Sequence, residues 1–287
     1  MTPPPPPVLR AYLKDIQPET DLPRSLTDTL VLRSRSDAGL VPADGDPNLR
    51  DIAYVLDVYN TEDRLAIVHA VNAISAVRIA SECSVVVVGY WSDVGFIDSA
   101  EGETIVWGHY TQELSEDAMV FTNKYFDVLM CYLVPDSYSR LANALRLYGE
   151  ALHVRNADLA LLGFVGAIES LFSIAPQELS FRLSLLLAKF LGDDASQQRE
   201  YFDRARELYK IRSKIAHGDK IDKDEEAAAI QIVETWVPEA EQLARGSLKR
   251  LFEKGVTDIF DAKKKHDRLL TELLFEVNLD AVLGNRT

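Results

Sequence analysis

The sequence predicts a mainly α protein: a C-terminal up-and-down helical bundle preceded by a smaller α+β region with a short sheet or hairpin. Three observations predict it. From about Glu116 onward, apolar residues recur at helical spacing and the connections are short. Earlier in the chain, the β-branched run SVVVVGYW (Ser84–Trp91) reads as a buried strand. The composition, 47% hydrophobic and 26% charged over 287 residues, is that of a globular chain long enough to bury a core.

Residues 1–8 are a proline run, a tail whose default is polyproline II. Residues 9–50 mix short apolar pieces with turn formers. Within them, DAGLVPADGDPN (Asp37–Asn48) is a loop by composition. Its Asp44, Asp46 and Asn48 alternate as in a calcium loop, but Leu49 stands where that loop needs glycine and no bidentate glutamate follows, so turn chemistry explains them. Thr61–Ala80 opens with a threonine and two acids and carries apolar residues at Leu65, Val68, Val71, Ala76 and Ile79, which predicts a helix. His69 within it is expected to be structural. Thr104–Tyr110 is a second strand candidate, giving a small sheet in residues 83–111 with Tyr90, Trp91 and Trp107 packed onto helices.

The C-terminal helices follow in order. Ser137–His153 places Leu141, Leu145, Tyr148 and Leu152 on one stripe. Ala157–Ser173 is apolar almost all round and is expected to be central. Pro176 opens a third helix with Leu179, Leu183, Leu186, Leu187 and Phe190 inward, ended by Gly192. Glu200–His217 is the fourth, with Phe202, Ala205, Tyr209 and Ile215 toward the core. Glu225–Lys254 is the fifth, bent or broken at Pro238. Thr257–Phe275 is the last. The expected division is a tail at 1–8, an N-terminal region at 9–135, a helical domain at 136–255, and a C-terminal helix and tail at 256–287.

Several function classes are excluded at this level. No apolar run approaches the roughly 18 residues that span a membrane, and the N-terminus has no secretory apolar segment, so a cytoplasmic protein without membrane contact is expected. Cys83 and Cys131 lie beside apolar residues without a CxxC partner, which predicts buried free thiols. No nucleophile elbow, phosphate loop, dinucleotide glycine motif or metal-ligand cluster occurs, and neither metal nor cofactor is expected. The net charge of −14 argues against general coating of nucleic acid, so a role with RNA requires a local basic patch.

Such a patch exists. Between Arg204 and Lys223 seven basic residues face three acidic ones, a local balance of +4. At its centre is YKIRSKIAHG, with Arg212 five residues before His217 and Gly218 directly after. Arginine is always charged and grips phosphate bidentately, and histidine titrates near neutrality. On a regular helix five residues turn about 140°, so the pair converges only if the helix frays near His217, which Gly218 permits, or if the two serve the site from different sides. The plain alternatives are a surface ion pair for Arg212, a helix C-cap for His217, a solvated face for Lys263–His266, and a buried partnership of Glu169 with Arg182 or Arg212.

The stretches LANALRLYGEAL, LLGFVGAIESLFS, RLSLLLAKFLG and LYKIRSKIAHG together resemble the HEPN superfamily, and in particular its Apea-like branch, over residues 137–220. The resemblance implies a helical bundle that dimerises about the motif helix, and a metal-independent ribonuclease, often a toxin or an effector of phage defence. It maps the family's arginine to Arg212 and its histidine to His217. Ser213 stands where the family often has Asn, Asp or His, and Asp219 stands where toxins paired with nucleotidyltransferases carry a tyrosine. Lys210, Ser213, Lys214 and Lys220 are the candidate substrate-binding residues, with Glu169, Arg182 and Tyr209 in support. Cleavage would proceed by attack of the 2′-hydroxyl on the adjacent phosphate. It needs a base, an acid and positive charge beside the phosphorane. A homodimer brings two copies of Arg212 and His217 to its axis. The N-terminal region would sense a protein or phage trigger. The second reading is a non-catalytic HEPN module that binds nucleotide or protein and acts as a dimerisation scaffold.

Overall fold

The computed structural model describes residues 6–14, 16–19, 22–38, 52, 54–59, 61–82, 85–92, 95–98, 113–132, 139–173, 179–221 and 224–284. Cys83, Trp107, Pro176, the Thr104–Tyr110 strand candidate and the Asp44–Asn48 alternation lie outside them. The chain forms two compact units, Met1–Cys131 and Tyr132–Thr287. Residues 256–284 therefore belong to the same body as the preceding helices. Among the described residues, no helix is long and apolar enough to cross a membrane.

The first unit is built on a six-stranded antiparallel sheet, larger than the short sheet expected. Its strands are β1 (Leu9–Lys14), β3 (Arg24–Ser25), β4 (Leu30–Ser34), β5 (Tyr54–Val58), β6 (Val86–Ser92) and β7 (Gly95–Asp98), in the order β3-β4-β5-β1-β6-β7. β2 (Gln17–Pro18) and β8 (Glu113–Leu114) form a separate short parallel pair. Residues 9–34 thus supply strands where the sequence showed short apolar pieces mixed with turn formers. The cause is a buried charge. Asp57 is 1% exposed and sits opposite Arg10 in the β1–β5 register. Arg10 Nε and Nη2 donate to its two oxygens at 2.5 and 3.1 Å, Arg33 Nε lies 3.2 Å away, and the Tyr59 hydroxyl donates at 3.2 Å. These bonds let charged residues occupy central strands, which obscures the alternation that announces a strand.

Helix α1 (Asp63–Ala80) packs on β1 and β5. Ala66, Ala70, Ala73, Ile74 and Val77 are buried, as are Ala76 and Ile79 of the expected stripe, while Leu65 and Val71 of that stripe are exposed. His69 is structural, as expected: it stands edge-on to Phe126 at 5.4 Å, and burial pushes its pKa down. Helix α2 (Glu116–Tyr132) completes the unit. Two expectations fail here. Trp91 is 52% exposed, because its strand position puts it on the sheet face away from its buried neighbour Tyr90, and Cys131 is exposed on α2.

The second unit is helical: α3 (Arg140–His153), α4 (Ala157–Phe172), α5 (Leu179–Leu191), α6 (Ala195–His217), α7 (Glu225–Gln231), a π turn (Ile232–Trp236), α8 (Val237–Glu253), α9 (Thr257–Asp261), α10 (Lys263–Phe275) and α11 (Leu279–Gly284). The central position of α4 holds, since it packs against α3, α6 and α8. Gly163 permits this closeness: a Cβ there would meet the Cβ of Ala151 at 2.8 Å. Side chains of Ser139, Asn156, Asp194 and Asp224 accept backbone N–H groups at the starts of α3, α4, α6 and α7. Asp194 is why α6 begins five residues before the expected Glu200. Ala205 and Tyr209 are buried as expected, Phe202 and Ile215 are half-buried rather than core, and α6 also buries Leu208 and Ile211. Pro238 lies at the start of α8, directly after the π turn that interrupts the fifth helix.

The C-terminal turn of α4 is closed by other elements. Arg140 Nη1 donates to the carbonyls of Ser170 (3.3 Å) and Ser173 (2.8 Å). His266 Nε2 donates to the carbonyl of Leu171 at 2.7 Å. His266 is fully buried and edge-on to Phe260, so Lys263–His266 is not wholly a solvated face. Helical period turns the histidine inward while the three lysines stay outside. Burial pushes the His266 pKa below its ordinary 6.5, partly offset by the Leu171 bond. The folded state then binds fewer protons here than the unfolded chain, so this stability is complete above pH ~6.5 and is lost as pH falls through it. Denaturation midpoints measured from pH 8 to 5 should fall more steeply for wild type than for His266→Gln.

Candidate functional site

Helix α6 carries the motif and is regular to its last residue. It ends in a left-handed glycine cap: Gly218 has φ 72° and ψ 22°, its N–H reaches the Ile215 carbonyl at 3.2 Å, and the Asp219 N–H reaches the Lys214 carbonyl at 2.8 Å. The helix therefore does not fray before His217. Arg212 and His217 stay about 140° apart around the axis, and one chain does not bring them onto a common face. His217 is exposed on the outer side of the helix end.

Arg212 points to the neighbouring helix. Its Nη2 lies 3.3 and 3.4 Å from the two carboxylate oxygens of Glu169, in the last turn of α4. The hydroxyl of Tyr209 donates to the same carboxylate. A glutamate at a helix C-terminus faces the negative end of the dipole, and the guanidinium relieves that. Of the two partners expected for Glu169, the structure selects Arg212; Arg182 lies exposed on α5. Burial, then the bond to Glu169, push the Tyr209 phenol far above its ordinary 10, so it stays a protonated donor. The Arg212 side chain retains 33% exposure and can still meet a phosphate from outside.

The other candidates are divided. Lys210 is exposed and pairs with Glu207 at 2.5 Å along the helix. Lys214 Nζ donates to the Ile221 carbonyl at 3.1 Å, tying down the turn after the helix. Ser213 and Lys220 are exposed. Arg204, counted in the basic patch, is paired with Glu239 at 2.5 Å and Glu200 at 3.3 Å. The patch is thus weaker than its sequence balance, because α4 and α8 contribute acids that chain-order counting misses. Among the described residues, no group of three or more His, Cys, Asp and Glu is arranged to hold a metal ion.

Sequence reasoning missed a cleft of about 500 Å³ next to the motif. It is lined by Asn156, Ala157 and Asp158 at the start of α4, Gly218–Ile221 after α6, Ala228 and Ala229 of α7, and Ile232 and Val233 of the π turn. The visible signal was the turn-forming pair Gly218–Asp219 directly after the histidine.

Comparison with protein-family models, curated proteins and solved structures finds no match for this chain.

Proposed function

We propose that the protein is a metal-independent endoribonuclease of the HEPN type, working as a homodimer about α6, in antiviral defence or as a toxin. The observation that supports the reading is that one helix carries both an exposed His217 at its sharply capped end and a partly open Arg212 held in place by Glu169 and Tyr209. Arg212 stabilises charge on the phosphorane; one histidine of the dimer accepts the 2′-proton and the other donates a proton to the leaving 5′-oxygen. Attack by the 2′-oxygen on phosphorus expels the 5′-oxygen and leaves a 2′,3′-cyclic phosphate. Ser213, Lys210 and Lys220 flank the strand. Lys214 acts by holding the turn that carries Lys220. The first unit is a compact body by itself, and we assign to it the reception of a protein or phage trigger.

A second reading is favoured by one observation: the 140° separation leaves each chain without a complete site. A chain that does not pair through α6 would be a binding scaffold. The deciding experiment is incubation of the full chain with total cellular RNA and tRNA in EDTA, with the product ends mapped. Cyclic phosphate ends support the nuclease. Intact RNA with a confirmed dimer, across candidate triggers, supports the scaffold.

A further inference from the structure

The cleft behind His217 has a composition that phosphate alone does not explain. Its apolar lining is made by Ala157, Ala228, Ala229, Ile232 and Val233, and its volume lies in the range of small-ligand sites. Val233 is 43% exposed, so the lining is open to a ligand. The rim is acidic. Among the described residues, the carboxylates of Asp158 and Asp219 take no hydrogen bond and no ion pair from a side chain. The Asn156 side-chain oxygen is committed to the Leu159 N–H at 3.0 Å, which leaves its amide NH2 outward. Gly218, in the cleft wall, follows His217 directly, so their Cα atoms are about 3.8 Å apart. A π turn forms one wall, an element frequent at functional sites.

These features specify a ligand: a flat apolar ring with N–H donors on one edge and no negative charge of its own at that edge. We propose that the cleft is a base-recognition subsite that takes an unpaired guanine of the RNA strand. Its ring lies on the alanine and valine lining, and its N1–H and N2–H2 donate to Asp158 or Asp219. This proposal rests on the ribonuclease reading for its substrate. Guanine is the base with two adjacent donors that match a carboxylate's two oxygens, and Asn156 is placed to donate to O6. Uracil offers carbonyls on both sides of its single N–H and would face the acids with acceptors. Lys220 at the rim favours the phosphate backbone and the two aspartates disfavour it, which orients the strand with its backbone toward Lys220 and His217 and its base toward the acids. Only an unpaired base presents this edge, so the substrate is single-stranded at the cut.

The test uses the full chain and single-stranded RNAs that differ at one position, G, A, C or U. Wild type is expected to cut beside G about 5- to 100-fold faster than beside U, the size of one bidentate base contact. Asp158→Asn and Asp219→Asn should reduce that preference, and Ala229→Phe, which fills the cleft, should abolish it while cutting at other bases continues. Circular dichroism checks that each variant is folded. Equal cutting at all four bases, or variants with wild-type preference, overturns the subsite. If wild type cuts no RNA, the ribonuclease reading fails separately, and titration with guanosine and uridine judges the cleft. Guanosine bound by wild type but not by Ala229→Phe retains the cleft as a guanine site; equal or absent binding overturns it.

Discussion

His217→Ala and Arg212→Ala are each expected to slow RNA cleavage by about 10²- to 10⁴-fold, the usual contribution of a positioned acid–base group or a transition-state charge. The two variants differ in stability. His217 is exposed at a helix end, and its loss should change unfolding free energy by no more than about 0.5 kcal/mol. Arg212→Ala removes the guanidinium beside Glu169 and should cost about 1 kcal/mol, since the pair is partly solvated. Arg212→Lys keeps the charge but loses the planar fork, and should recover little activity. The separation of the two residues around α6 adds a sharper test. Mixing wild type with excess His217→Ala, after partial unfolding and refolding, should lower activity below the share of wild-type chains, because a mixed dimer holds only one of the two histidines that the site uses. Activity of wild type as a monomer, or mixed activity that simply follows the share of wild-type chains, would sink the composite site.

The largest stability effect is expected at Glu241. Its carboxylate is 2% exposed and accepts the Tyr148 hydroxyl at 2.8 Å and Arg245 Nε at 3.0 Å. Arg245 is itself buried on α8. Glu241→Ala removes the charge that balances a desolvated guanidinium and an acceptor for a buried phenol, and should cost about 3–5 kcal/mol. Urea denaturation monitored by circular dichroism reads it. The double change Glu241→Leu with Arg245→Leu should cost less than the single alanine change, since it removes both charges and refills the space. A single-variant cost under about 1 kcal/mol would mean the pair is solvated in solution.

The helical half was largely legible because its signal is local. The stripes Leu141–Leu145–Tyr148–Leu152 and Leu183–Leu186–Leu187–Phe190 are buried as their spacing implies. The first unit was less legible. β1 and β4 carry arginines whose burial depends on Asp57, which lies far along the chain, so local periodicity could not announce them. Cys131 and Trp91 looked buried because their neighbours are apolar, yet each takes the outward position of its element. At the candidate site, the residues of the motif and the glycine cap were readable. The partners that give them meaning were less so. Glu169 was a candidate partner, but its choice of Arg212 over Arg182 is set by the packing of α6 on α4.

By itself, the sequence determined the order of helices in the second unit, the end of α6 at Gly218, and the placement of Arg212 and His217 on opposite sides of a helix. All three follow from properties of one short segment: apolar spacing, a glycine free to take positive φ, and the 3.6-residue turn. Only the tertiary structure decided that Asp57 could be buried in a sheet, that acids from α4 and α8 offset the basic patch, and that a cleft opens beside the histidine. Those outcomes depend on groups distant in sequence meeting in space, where desolvation and pairing energies act between elements rather than within them.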